Sequence, residues 1–403
     1  MNRTWLYLSV KIHGYIRFPL RDRIRLLFAD LRFRYFALKK FGLPLNIDVL
    51  KNALIQPFVD LLNRPSGGDA YCGGVLFKDN LPLPSLRHFR GRKTIDRPLF
   101  KPVDSNIVPV HISTRQFWCG PVVFHFGHQI ADFGSRILLS SVDPRPGELL
   151  WCPWRVGTSF DEFEPWLRFL LQYLNPGLKP HRIVDYPIIA SELIVYPQQA
   201  RMRAHPTPAH LDALAWCERS LFPCQGGPVY VSRAKFASCV DEHSLIGAFA
   251  GEAFFERLLS YRGFRVVHPE TISLEEQLQI YLGSSLLIFA EGSAQHALEL
   301  LGYHPNKHVF IICRRPQLPE MAYPLLSRFP KTMFISAIVS QWIAFGGVPW
   351  NGISLLDWTI VCNAINPYLD KPISFHECTQ LLQISEKQLQ SLCNSVQLHK
   401  LQT

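Results

Sequence analysis

The segment that most constrains this chain lies between Val229 and Cys313, where short apolar runs alternate with longer amphipathic ones. Val229–Ser232 predicts a strand, Glu242–Ser260 a helix ending before Gly263, and Phe264–His268 a second strand. Ser273–Leu282 predicts another helix, opened by Ser273 and Glu276 at the spacing of a capping box. Ser285–Ala290 reads as a continuous apolar strand, Ser293–Leu301 as a short helix, and His308–Cys313 as a further apolar strand. Strands that are apolar on both faces and separated by helices form parallel sheets, with right-handed crossovers covering the faces. The fold class expected is α/β.

The same alternation is weaker upstream. Asn106–Val110, Glu148–Cys152 and Arg182–Tyr186 predict strands, and Phe124–Ser140 and Glu162–Leu174 predict helices. Three prolines in Pro197–Pro208 mark a domain connection, followed by a helix near Ala209–Arg219. Before this, a Gly/Pro-rich passage at Arg64–Pro84 sets off a basic start. The domains expected are 1–60, a basic helical extension; 61–205, a first α/β domain; and 206–350, a second. Residues 351–403 would form C-terminal helices, with packing across the domain boundary as one option.

Charge is local. Residues 1–40 hold ten Lys/Arg against Asp22 and Asp30, so they supply +8 of the formal +10. In this prefix Arg17, Arg21, Arg23, Arg25, Arg32 and Arg34 alternate with aliphatic and aromatic residues. Such a stretch either lies on an anionic membrane surface or packs as a helix on the protein, and the two readings stand equal. Its large apolar content disfavours a nucleic-acid arm. No 18-residue uncharged apolar run and no signal-peptide pattern occurs, so a cytoplasmic or inner-face location is expected. The ten cysteines contain no CxxC pair and read as reduced core residues; neither disulfides nor zinc are expected. Walker, HExxH and GxSxG patterns are absent.

Three segments can carry chemistry. In Phe124–Ser140, Phe126, Ile130, Phe133 and Ile137 form an apolar stripe, and His125, His128, Asp132 and Arg136 gather on another face. An Asp four residues from a His can orient it as a base, although an ordinary exposed helix explains the pattern equally simply. At Glu291-Gly292-Ser293 an apolar strand delivers an acid, a glycine and a hydroxyl to its carboxyl end. There Ser293 either helps bind a ligand or merely caps the next helix. After Val229–Val231, Ser232, Arg233 and Lys235 place donors near the same expected edge, where the alternative is a solvated basic turn. The two histidines suggest no metal site, since no third ligand is marked out.

The last two segments belong to one ordered stretch, Val229–Gly302. It contains Ser232-Arg233, Glu252, Gly263-Phe264, Val266-Val267, Pro269-Glu270, Glu276-Gln277 and Glu291-Gly292-Ser293. This resembles the catalytic region of glycosyltransferase family 61, including bacterial capsular-polysaccharide members, and the His125–Arg136 segment resembles that family's histidine-containing helix. The similarity spans roughly residues 105–315.

The resemblance implies a GT-B-like fold, two Rossmann-like domains facing a cleft, 61–205 on the acceptor side and 206–350 on the nucleotide-sugar side, and inverting transfer from a nucleotide-sugar donor without a cofactor or bound metal. Partners implied are the nucleotide sugar and a glycan or lipid-linked oligosaccharide acceptor, with no nucleic acid. His128 is expected as base, oriented by Asp132, with His125 as the alternative. Arg233, helped by Lys235 and the Gly292–Ser293 amides, would hold the diphosphate, and Glu270 or Glu291 would bind hydroxyls. Many relatives carry His-Gly where this chain has Glu291-Gly292, which leaves the role of Glu291 open. A hydrolase using the His–Asp pair and a non-catalytic membrane adaptor are the alternatives.

Overall fold

A computed structural model of the chain describes residues 47–57, 71–76 except 73, 84–97 except 95, 107–153, 159–238 except 225, 247–316, 319–395 except 345, and 398–401. The six prefix arginines from Arg17 to Arg34 lie outside the described residues. The described chain divides into two units. One holds residues up to Leu221 together with Glu299–Tyr303; the other holds Phe222–Leu298 and the chain from His304 onward.

The N-terminal unit is built on a seven-stranded sheet. Its strands are β1 (Asp48–Gln56), β2 (Gly74–Val75), β3 (Val110–Ile112), β4 (Gln116–Val122), β5 (Glu148–Pro153), β6 (His181–Ile183) and β7 (Ile188–Val195). The order is β6-β5-β4-β7-β1-β2, with β3 also on β7. β6, β5, β4 and β7 run parallel, and β1 and β2 join antiparallel. Residues 48–56 were expected within a helical extension; they are instead a strand that pairs along β7. Alternation of Ala53 and Ile55 into the core accounts for the difference, because a period of two suits a sheet face and not a helix stripe.

The chain leaves β4 for β5 and β6 on one side, then returns to place β7 on the other. Strand order therefore reverses between β4 and β7. β4 was not expected, since Gly120-Pro121 reads as a breaker. It persists through a bulge between Trp118 and Gly120, where φ is +96°. A Cβ on Gly120 would sit 2.6 Å from the His88 ring, so glycine is required there for space as well as for conformation.

The C-terminal unit holds a fully parallel sheet of β8 (Val229–Val231), β9 (Arg265–Val267), β10 (Leu286–Ala290), β11 (His308–Cys313) and β12 (Lys331–Ser336), in the order β9-β8-β10-β11-β12. Four of the five strands match the sequence expectation. Strand order reverses again, here between β8 and β10. The helix expected over Glu242–Ser260 is shorter: Glu252–Tyr261, preceded by Gly251 at φ +85° and a strand at Ala248–Phe249. That short strand joins Ile353–Leu356, Ile338–Ala344 and Leu398–Lys400 in a second sheet.

Trp358–Ile365 and Phe375–Ser395 form the C-terminal helices. Trp358, Val361 and Leu381 pack with Phe255, Ile288 and Phe310 in the core of this unit. Full burial of Phe255 or Ile288 contributes about 1.5–3 kcal/mol each. Arg262 ties the two helical layers, donating from Nη2 to Glu377 Oε1 at 2.8 Å and Oε2 at 2.7 Å. That bidentate pair holds the Glu377 carboxyl down to about 2. These sheets are open, and the mixed α/β architecture is consistent with a GT-B-like arrangement. Among the described residues no helix is long and apolar enough to cross a membrane, and six cysteines are buried without disulfides.

Candidate active site

In open parallel sheets ligands bind beyond the strand carboxyl ends where strand order reverses, because the crossovers leave on opposite faces there and open a crevice. Each unit has one such edge, and each edge carries a cluster of polar groups.

In the N-terminal unit, β4 runs directly into the histidine segment. Gln129 Oε1 accepts from Val123 N–H at 2.7 Å and fixes the segment to the strand end. The segment is not one α-helix. An α turn at Phe126–His128 passes into a π-helical turn at Gln129–Phe133, a 3₁₀ turn at Gly134–Arg136 and an α-helix at Ile137–Val142. The wide π turn changes which residues share a face, and such insertions often mark functional positions.

His128 and Asp132 still meet, with Nδ1 3.2 Å from Oδ2. Arg136 does not join them. It is fully buried, donating to Tyr196 O at 2.9 Å and to Ser85 O and Arg87 O at 2.6 Å, with His88 on its remaining side. The expected four-residue polar face thus loses one member, because the π and 3₁₀ turns rotate Arg136 inward.

Arg90 takes that place. It lies in the hairpin Phe89–Arg90/Lys93–Thr94, and its Nη2 donates to Asp132 Oδ2 at 2.6 Å and lies 2.9 Å from His128 Nδ1. Gln198, just past the end of β7, holds this arrangement together. Its amide exchanges bonds with the Phe89 backbone at 2.8 and 3.1 Å and donates to Asp132 O at 2.8 Å. Nothing local in the sequence announces Arg90, which is 42 residues from Asp132. Burial would raise the Asp132 carboxyl, but hydrogen bonds and charge from His128 and Arg90 outweigh it and hold the group below the ordinary aspartate range. Asp132 Oδ1 is buried with no hydrogen-bond partner among the described residues. His128 is half-buried, and His125 is exposed with its ring centroid 4.3 Å from that of His128. His125 Nδ1 accepts from His128 N–H at 3.4 Å and so caps the first turn.

In the C-terminal unit, Ser232 and Arg233 follow β8, Glu291-Gly292-Ser293 follow β10, and Arg314-Arg315 follow β11, all at one sheet edge. Glu252 opens the helix behind them. Its Oε1 accepts from Arg233 N–H at 2.7 Å, Ser232 Oγ at 2.9 Å and Tyr230 OH at 3.0 Å, while Oε2 is buried without a partner among the described residues. Burial raises the Glu252 carboxyl to about 6 despite those donors.

Arg233 donates from Nε to Gly247 O at 3.1 Å, and its guanidinium lies across Gly292. A Cβ on Gly292 would come 2.0 Å from Arg233 Nη1, so glycine at 292 makes room for the guanidinium. Burial lowers Arg233 below its ordinary value, opposed by Glu252 and Glu291, and arginine remains a cation even so.

Glu291 itself is buried and fully engaged: Oε2 accepts from Arg314 N–H at 2.9 Å and Oε1 from Arg315 Nε at 2.6 Å. Arg314 and Arg315 were not foreseen, although their place just after an apolar parallel strand was a usable signal. Ser293 starts a 3₁₀ helix, Ser293–Leu300, in place of the expected ordinary helix. Lys235 and Glu270 are exposed, on Ala234–Ser238 and the turn after β9. No group of three His, Cys, Asp or Glu residues among those described is arranged to hold a metal ion.

A search of curated proteins returns no match for this chain. Residues 126–302 match the model of the family Glycosyltransferase 61, a span that contains His128 and Asp132, Arg233 and Glu252, and Glu291 to Ser293. That match is consistent with sugar-transfer chemistry in general, and a nucleotide sugar fits it as the kind of partner. This part of the chain is a glycosyltransferase domain of family 61.

Proposed function

We propose that this protein is an inverting hexosyl- or pentosyltransferase. It would move a sugar from a nucleotide-sugar donor to a hydroxyl of a glycan or lipid-linked acceptor in surface, capsule-type polysaccharide synthesis. The observation that carries the reading is the guanidinium of Arg233 laid across Gly292 at the strand-order reversal between β8 and β10, inside the family-matching domain.

The acceptor oxygen attacks the anomeric carbon as the bond from that carbon to the donor diphosphate breaks. The bonding electrons leave with the diphosphate, and the acceptor proton goes to the base. His128 has the chemistry for this in one tautomer. That tautomer carries its proton on Nδ1, donates it to Asp132 Oδ2 and leaves the Nε2 lone pair to accept. It requires Arg90 Nη2, a donor 2.9 Å from the same Nδ1, to direct its hydrogens to Asp132. Arg90 donates to the same oxygen, Oδ2, and its charge helps keep the carboxylate ionised. Asp132 is thus a positioning residue. His125 is the lesser candidate, because its Nδ1 is spent as a helix cap.

Arg233 neutralises charge building on the leaving diphosphate, with the Gly292–Ser293 amides and the exposed Lys235 as helpers. Glu270, exposed on the turn after β9, would meet hydroxyls. Glu291, buried between two arginine groups, serves those arginines rather than a sugar. The arginines of residues 1–40 fit recruitment to an anionic, cytoplasmic membrane face that carries the acceptor.

A screen of nucleotide sugars against acceptors, with product linkage analysis, tests the reading. Products should require acceptor and show inverted anomeric configuration. Equal donor cleavage without acceptor would make the protein a hydrolase, and donor binding without turnover would make it an adaptor.

A further inference from the structure

The edge beyond β8, β10 and β11 holds more positive charge than one diphosphate-binding arginine requires. Arg315 is close enough to depress both Arg233 and Arg314 electrostatically, and Arg233 depresses Arg314 as well. Their counter-charges are Glu291, Glu252 and the exposed Glu270. Glu270 is screened by water, and burial of Glu252 favours its neutral form. Three guanidiniums against the buried carboxylates of Glu291 and Glu252 leave this edge with surplus positive charge.

The three arginines are not equivalent. Arg314 is buried and spent on the protein: Nε donates to Glu291 O at 3.2 Å and Nη1 to Trp350 O at 2.5 Å. Arg315 is different. Its only hydrogen bond among the described residues runs from Nε to Glu291, and its side chain is 38% exposed. Gripping the guanidinium at Nε leaves both terminal nitrogens available. Arg233 is likewise held at Nε, by Gly247 O, with its terminal nitrogens making no hydrogen bond among the described residues. Two forks are thus fixed at the base, one beside residue 291 and one beside residue 292.

We propose that Arg315 is a second phosphoryl-binding arginine of this edge and that Glu291 is its positioning residue. Arg315 takes one phosphoryl group of a pyrophosphate while Arg233 takes the other. Glu291 is a fixed clamp and not a competitor for the ligand, since its carboxylate meets Nε and the Arg314 amide and not the terminal fork. This inference rests on the proposed donor site at the same edge.

Titration calorimetry with inorganic pyrophosphate and with UDP, using uridine as a charge-free control, separates the two ideas. Arg315→Gln should weaken pyrophosphate and UDP binding at least roughly tenfold and leave uridine unaffected, with Arg315→Lys intermediate because it keeps the charge but not the fork. Glu291→Gln is the sharper variant. It removes a negative charge, so a purely electrostatic site would bind pyrophosphate more tightly, whereas a positioned fork should bind it severalfold more weakly. Tighter binding by Glu291→Gln would overturn the clamp. Should that buried substitution fail to fold, as circular dichroism would reveal, the half-exposed Arg315 variants still decide the binding role. Unchanged pyrophosphate binding in Arg315→Gln, with binding lost in Arg233→Ala, would overturn this inference alone. Unchanged binding in Arg233→Ala would remove the donor-site reading beneath it.

Discussion

The two units reverse strand order in the same way, yet they furnish the resulting edges differently. At the end of β4 the groups are titratable: two imidazoles, one of them exposed, and a buried aspartate braced by Arg90. At the ends of β8, β10 and β11 they are guanidiniums fixed at Nε, with buried glutamates and glycines that make room for them. The first set suits exchanging a proton with an acceptor hydroxyl. The second suits holding an anion that never changes protonation state. One topological device can therefore serve two chemistries, because it supplies only the crevice and the side chains supply the reaction.

The largest expected effect separates the edges directly. His128→Ala should lower transfer by roughly 10²–10⁴-fold, the usual worth of a general base, while UDP binding stays unchanged. Arg233→Ala should instead weaken UDP binding by roughly tenfold to a hundredfold, the scale of one charge-assisted hydrogen bond or two. Near-normal transfer by folded His128→Ala and His125→Ala variants would remove the base from this edge altogether.

A smaller effect tests the electrostatics. The two buried carboxylates shift in opposite directions, so they should act on opposite limbs of the stability profile. Glu252 has a folded value raised to about 6 from an ordinary 4.5. Its contribution is fully present below about pH 4.5 and lost as pH rises through 6, at a cost of roughly 2 kcal/mol. Urea denaturation across this range should show that loss in the native protein and a flatter profile in Glu252→Gln. Asp132 is depressed, so its contribution is present above the ordinary aspartate range and disappears as pH falls. Asp132→Asn should flatten the acid limb and leave the Glu252 limb intact. Loss of both limbs in one variant would show that the edges are energetically coupled.

The smallest expected effect concerns neither edge. Removing residues 1–40, and with them +8 of charge, should reduce sedimentation with anionic vesicles and leave UDP affinity nearly unchanged. Equal sedimentation of both forms would end the membrane role.

Much of the C-terminal unit was legible because its strands are buried on both faces. Leu286–Ala290 and residues 309–313 are apolar throughout, and such runs stand out without an alignment. The N-terminal sheet was harder to read. β1 has one mostly uncovered face, and β4 carries a glycine and a proline that make a bulge and look like a turn. At the sites, Arg233 and Gly292 were visible as strand-end residues. Arg136 was misplaced because helical periodicity assumes a regular helix, and the π turn at Gln129–Phe133 breaks that assumption.

The sequence by itself determined the α/β class, the parallel pairing of the alternating C-terminal strands and the concentration of +8 of the formal charge in residues 1–40. These depend on local periodicity and composition, which every window of the chain carries. Only the tertiary structure decided which charges meet. Arg90 reaches Asp132 across 42 residues, and Arg315 reaches Glu291 across 24. Such pairs are set by where the sheet edges bring loops together, and no periodicity within one segment encodes the partner contributed by another.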